Sequence, residues 1–302
     1  MAVDHLDASA ARSGLHEKGK SRGLWGDALR QFRKNRAAVG GLFVLAVLIF
    51  MAVFAPLFAL HEQNEMFFNH RLVGPNSVFP LGTDSLGRDI YTRLLYGSRI
   101  SLQTGLIAVS IAMLIGVPMG LAGGYIGGAV DTVIMRICDV ILAFPGIIFA
   151  IWLISILGPS LRNVMISVGL FSVPSFARLV RSSTLQVKEM DYITAEQAIG
   201  AGTLRIVFRH ILPNVTAPII IIASLNVASA ILAGASLSFL GLGTAPPTPE
   251  WGAMLSDGRA YLRTAWWVAF FPGVAIMITV LATNMVGDGL RDALDPRFKN
   301  RT

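Results

Sequence analysis

Four stretches of this chain run for twenty residues or more without a single charged side chain: 37–60, 102–121, 215–242 and 264–286. A bilayer core about 30 Å thick is crossed by roughly 20 helical residues. Inside it, backbone amides and carbonyls must pair within their own segment, which leaves the helix as the form such runs take. A fifth run, 140–158, falls one residue short of twenty and is equally free of charge. A sixth candidate, 163–177, is shorter, contains Pro174 and ends against Arg178. An arginine so placed snorkels to the interface. The expectation is an all-α, polytopic membrane protein with six transmembrane helices and both termini on one side. Composition agrees, since 14% of residues are charged against about 25% in a soluble domain.

The Lys and Arg residues fix the orientation. With the N-terminus inside, the segments facing the cytoplasm hold 18 of them and the external segments seven, the positive-inside asymmetry. This predicts N-in and C-in, with Trp266 and Trp267 at the outer interface. The net charge of +7 thus reads as topology and not as a nucleic-acid surface. The first apolar run follows 36 mostly polar residues and is too long for a signal-peptide core, so it is expected to remain as an anchor. Cys138 is the sole cysteine, which excludes an internal disulfide and a thiolate cluster.

Four segments outside the runs carry further pattern. Before the first run, Leu24, Trp25, Ala28, Leu29 and Phe32 recur at helical spacing among Arg30, Arg33, Lys34 and Arg36. That suits a helix in the inner interface, with a solvated basic tail as the alternative. Two external loops, 61–101 and 243–263, contain PLGTDSLGRD and APPTPEWG and are read either as partner surfaces or as connectors. The cytoplasmic loop VKEMDYITAEQAIGAGTLRIVFRHILPN, 187–214, is the most informative. Asp191 can cap a short helix with Tyr192, Ala195, Ala198 and Ile199. Gly200 and Gly202 interrupt it, Thr203 can cap a second helix with Leu204, Val207, Phe208 and Ile211, and Pro213 is expected to stop that one. Helices of about ten residues are marginal alone in water, so they dock either on the bundle or on a partner.

This loop resembles the cytoplasmic coupling motif of bacterial ATP-binding-cassette importer permeases: E-A-A, three residues, Gly, nine residues, Ile-x-Leu-Pro. Aligned on Gly200, Ala195 takes the first Ala, and Leu212 and Pro213 the Leu-Pro. Thr194, Glu196 and His210 depart from the Glu, the second Ala and the Ile. The departures are similar to those of dipeptide, oligopeptide and glutathione importers, whose permeases show F-R-H-I-L-P-N where this chain has residues 208–214. The segments 82–89 (GTDSLGRD), 236–243 (SLSFLGLG) and 287–296 (GDGLRDALDP) also resemble the C-type permease of those systems.

The resemblance implies a type I importer transmembrane fold. Its expected organisation is a cytoplasmic N-terminal segment with an interfacial helix at 1–36, and a first span with external loop at 37–98. A transmembrane domain follows at 99–288, carrying the coupling loop 188–213, and a cytoplasmic tail at 289–302. It implies a homologous second permease, two ATPase subunits that use ATP and Mg, and an external substrate-binding protein. Asp191, Ala195, Glu196, Ala198, Gly200, Gly202, Arg205, Arg209, His210 and Pro213 are then the coupling residues. No catalytic or metal-binding residue is expected, and this chain is expected to bind no cofactor. It lacks the G-x-x-x-x-G-K-[ST] phosphate loop and a His-based metal spacing. The cargo implied is a di- or oligopeptide or glutathione, with nickel or another small solute as the alternative. A stand-alone secondary carrier is the rival class, and the absence of ionisable groups in the runs argues against it. The small-residue run Gly116, Gly120, Gly123, Gly124 has close-packing spacing, either within the chain or between subunits. Pro145, Pro174 and Pro272 are candidate kinks.

Overall fold

The computed structural model describes residues 24–294. The greater part of the expected N-terminal segment and the last eight residues of the expected tail lie outside it. Among the described residues the fold is helical. Helix α1 (Leu24–Lys34) leads into α2 (Arg36–Val53), followed by the short α3 (Ala55–Phe58). The long α4 (Ile90–Ile126) comes next, then α5 (Gly128–Leu142), α6 (Gly146–Leu157) and α7 (Leu161–Lys188). The cytoplasmic loop contributes α8 (Asp191–Ala198) and α9 (Thr203–Ile206). α10 (Leu212–Phe239), α11 (Trp251–Gly258) and α12 (Trp267–Leu294) complete the chain.

α4 and α7 form the central seam, and glycine sets their approach. A Cβ on Gly116 would stand 2.8 Å from the Val173 carbonyl, one on Gly120 2.6 Å from that of Ala177, and one on Gly124 2.9 Å from that of Arg181. The small-residue run therefore packs within the chain. The register rises together on both helices, so α4 and α7 run parallel. α10 packs on both in the opposite sense, with Gly234 against Thr104 and Gly105 against Ile231. α12 lies against α10, and α2 against α12, where Gly41 meets Ala282 and Met285.

Parallel packing of α4 and α7 has a topological consequence. The chain leaves α4 at one face and must enter α7 at the other, so residues 127–160 cross the membrane once. They do so as a broken span: α5 and α6 meet at 93°. The run expected as a single helix from 140 to 158 is therefore interrupted. Pro145 supplies no amide and biases the residue before it away from the helix. The turn of the helix is lost at Ala143–Pro145, and α5 extends back to Gly128. Six crossings result, with both ends of the described chain together. Asn35, the N-cap of α2, donates to Asp292 near the end of α12 at 3.3 Å. The α1 helix expected before the first run is present, with Phe32 packed beside Gly289.

The fourth span reaches well past the expected boundary at Ala177. α7 continues through Arg178, Arg181 and Lys188 because each cation has a partner. Arg178 pairs with Asp139 at 2.7 Å, Arg181 forks onto both oxygens of Asp131, and Lys188 donates to the Tyr125 carbonyl at 2.7 Å. These contacts bind α5 and the end of α4 to α7 at the cytoplasmic side.

On the outside, the two loops fold into a shared cap. Asp84 accepts from the amides of Leu86 and Arg88, both at 2.9 Å, and from Arg88 Nε at 2.6 Å. Gly82 and Gly87 take left-handed backbone at φ +80° and +76°, which the turns of G-T-D-S-L-G-R-D require. Asp89 caps α4 through the Thr92 amide at 3.2 Å, and Glu250 caps α11 through Gly252 and Ala253, both at 2.9 Å. Trp251 donates to the Leu94 carbonyl at 3.1 Å, joining the loops. Burial pushes the Glu250 carboxyl up, against the hydrogen bonds that it accepts. Burial likewise raises Asp257, countered by Arg88 and Arg93. The charged residues of the external motif are thus fold-forming and turned inward.

Candidate functional site

The cytoplasmic loop between α7 and α10 has an inner and an outer face. Inward, Ile193 of α8, Ile206 of α9 and Ile211 are at most 1% exposed. They pack in one cluster with Leu121, Val180, Val187, Val215 and Ile219. Burying an isoleucine contributes about 1.5–3 kcal/mol, so three of them hold an otherwise marginal pair of short helices against the ends of α4, α7 and α10.

α8 starts without a side-chain cap. Its N-cap is Met190, and Asp191 stands in the first turn instead of at the expected capping position, where its charge still suits the helix dipole. The helix ends in a Schellman arrangement: Ala201 N–H donates to the Glu196 carbonyl and Gly200 N–H to that of Gln197, both at 3.0 Å. Gly200 sits at φ +80°, the conformation that this ending needs. Gly202, paired with it in the sequence reading, differs. It is the N-cap of α9 at φ −66°, a backbone open to other residues, and it takes the capping place expected for Thr203.

The second loop helix is not stopped by Pro213. α9 passes through a wider turn, Val207–Ile211, with the hydrogen-bond ladder of a π-helix, and runs straight into α10. Pro213 falls in the first turn of α10, directly after the π turn. The second loop helix is therefore continuous with the fifth span, and α9 to α10 forms one helical rod from Thr203 to Phe239. Wide turns of this kind absorb an extra residue and recur at functional positions.

The sequence-predicted residues divide between two roles. Glu196 and His210 are brought together, with Glu196 Oε1 3.4 Å from His210 Nε2. The two atoms are out of line for a hydrogen bond, and His210 Nε2 and Glu196 Oε2 have no hydrogen-bond partner among the described residues. Tyr192 lies beside the His210 ring, and Asn214 bridges the Tyr192 hydroxyl at 3.2 Å and the His210 carbonyl at 2.6 Å. This polar clasp ties α8 to the π turn. Asp191, Ala195, Ala198, Gly200, Gly202, Arg205, Arg209 and Pro213 are exposed on the outer face. Ile199, Leu204 and Phe208 are exposed as well, at 79%, 73% and 61%, but Leu204 and Phe208 line a lateral groove with Leu114, Val117 and Leu121 of α4. Sequence reasoning missed the anchoring role of Ile193 and Ile206 and the bridge made by Asn214. An inward isoleucine flanked by polar neighbours on a two-turn helix is a faint signal, but Asn214 was visible as the end of F-R-H-I-L-P-N.

Residues 93–300 match the family described as "Binding-protein-dependent transport system inner membrane component". Residues 23–75 match "N-terminal TM domain of oligopeptide transport permease C". The chain is 48% identical over 276 residues to the dipeptide transport system permease protein DppC of Alkalihalophilus pseudofirmus, covering 91% of each. It is 48% identical over 278 residues to the glutathione transport system permease protein GsiD of Pectobacterium atrosepticum, covering 91% of this chain and 92% of that one. A solved structure of the MetNI methionine ABC transporter in an inward-facing form superimposes with a TM-score of 0.54 at 20% identity. It spans 68% of this chain and 97% of that one, a likeness of fold. A helical bundle with six crossings, a cytoplasmic loop continuous with its fifth span and a family match over most of its length lead to one assignment. The chain belongs to the binding-protein-dependent transport system inner membrane component family and is a multi-pass permease subunit of an ATP-binding-cassette importer.

Proposed function

We propose that this permease moves small peptides, dipeptides or glutathione among them, into the cytoplasm, and that loop 188–213 couples it to ATP hydrolysed by partner subunits. The names of relatives that share nearly half of its residues support the peptide cargo. The coupling reading rests on one observation: a loop anchored in the bundle by buried Ile193, Ile206 and Ile211 while Ile199, Arg205 and Arg209 stand exposed, on a rod continuous with α10.

In this reading the transport unit is 99–288, paired with a homologous second permease, with an external binding protein above and two ATPases below. ATP and Mg act in the ATPases, and the residues of this chain do no bond chemistry. ATP binding draws the ATPases together, the outer face of the loop moves with them, and the rod carries that displacement into α10. Access then shifts from the inner to the outer side. A ligand shifts such an equilibrium only through its differential affinity for the two states, and the loop is where this chain receives that difference.

The test is purification of the tagged chain from its host in mild detergent. Recovery of a second permease and an ATPase is expected. The double variant Ile199→Asp/Leu204→Asp should keep the permease and lose the ATPase. Recovery of the chain alone, with uptake driven by an ion gradient, would favour a self-sufficient carrier.

A further inference from the structure

The middle of the bundle holds a cavity with polar groups on its wall. A cavity of about 230 Å³ opens between α6, α7 and α10, and Ser172, Ser175, Asn226 and Ser229 stand on its wall. These residues fall in the central turns of α7 and α10, on helices whose remaining central positions are almost wholly apolar. Ser172 and Asn226 each donate one bond to a carbonyl of their own helix, at 3.0 and 2.9 Å. The Asn226 amide keeps its oxygen and its second N–H free. Ser175 and Ser229 are exposed and take no hydrogen-bond partner among the described residues. Gly146, in the first turn of α6, lines the same cavity, so the break at Ala143–Pro145 lies at this depth too. Polar groups and irregular backbone at membrane depth are tolerated where they line a water-filled cavity or are buried in protein.

We propose that this cavity is the chain's half of a transient binding site for the peptide backbone in the translocation path, an inference that rests on the peptide-importer reading above. Its chemistry is a set of neutral donors and acceptors between apolar walls of Ile147, Ala150 and Phe171. Hydroxyl and carboxamide groups pair with peptide N–H and C=O whatever the side chains are. Without a charge in the wall, neither terminus of the peptide is held tightly enough to stall it. Ligand pockets usually exceed about 300 Å³, and this one falls below that, as half of a site completed by the second permease would.

The test uses the whole complex in proteoliposomes, with labelled dialanine and labelled glutathione as probes. Removing one neutral hydrogen bond should lower uptake about tenfold in Asn226→Leu and in Ser229→Val. Asn226→Gln and Ser229→Thr should retain it, and recovery of the complex should stay at the parent level. In a Cys138→Ser background, Ser229→Cys should react with a membrane-impermeant maleimide, more slowly when dialanine is present. Undiminished uptake in Asn226→Leu, or a Ser229→Cys thiol that only a lipid-soluble maleimide reaches, would overturn the site. If Asn226→Leu prevents assembly, the thiol labelling decides. Should the parent complex import neither probe, the peptide reading fails, while labelling still reports whether the cavity is wet.

Discussion

At Gly200 the backbone holds φ +80° while a Cβ built there meets no atom within 4 Å. Substitution is therefore opposed by conformation and not by crowding. A side chain in the left-handed region costs about 1–2 kcal/mol, enough to open the Schellman turn yet too little to unfold a bundle anchored elsewhere. Gly200→Val is expected to reach the membrane at the parent level and to take up peptide at under a tenth of the parent rate, whereas Gly202→Ala transports normally. Uptake assays beside quantitative blots check both, and normal transport by Gly200→Val would count against the coupling role. Glu250 gives a residue-scale prediction in pH. Burial lifts its folded carboxyl above the ordinary 4.5. Between those two values the folded state keeps a proton that the unfolded chain releases, so the stability contributed by this group falls as pH rises through that window. Above the window its burial penalty is complete, and below the ordinary value it is gone. The melting temperature of the wild type, relative to Glu250→Gln, is expected to climb as pH drops from 7 toward 4.5. Parallel curves would refute the shift.

Helices in this fold are positioned by closeness of approach as much as by hydropathy. Gly116, Gly120 and Gly124 each bring α4 against the backbone of α7, so no single one can be relieved by sliding. Gly120→Val places its Cβ 2.6 Å from a carbonyl and should cost at least the roughly 1–3 kcal/mol of an overpacked core. Gly40→Ala, where an added Cβ meets nothing within 4 Å, is expected to stay within about 0.5 kcal/mol. Thermal unfolding in detergent separates the two. All six crossings were legible, five of them because an uncharged run of the right length has few alternatives to a membrane helix. Two features were not. The 93° break follows from where Pro145 falls relative to packing partners, and Pro174 and Pro272 stand inside continuous helices with the same local signal. The extension of α7 past Arg178 depends on Asp131 and Asp139, which lie about forty or more residues away in sequence. In the cytoplasmic loop, the glycine turn and the two short helices were visible from spacing, but which of their apolar residues turn inward was not. Continuity through Pro213 was hidden, because a proline reads alike as the end of one helix and the first turn of the next.

For the molecule as a whole, parity and orientation follow from two independent facts. The positive-inside count places the loop 178–214 and both termini in the cytoplasm. The parallel register of α4 and α7 makes the bent pair α5–α6 one crossing, where a re-entrant loop would return the chain to the face that it left. These predict opposite sides for two exposed positions only 27 residues apart, Thr132 on α5 and Pro159 beyond α6. In a Cys138→Ser background, Pro159→Cys is expected to react with an impermeant maleimide added to intact cells, and Thr132→Cys only after the membrane is opened. If α5–α6 were re-entrant, α7 would begin on the cytoplasmic side and Pro159→Cys would be silent in intact cells. α7 would then have to run antiparallel to α4, breaking the match of Gly116, Gly120 and Gly124 to Val173, Ala177 and Arg181. Labelling at Pro159 thus tests the seam, the broken span and the charge rule together.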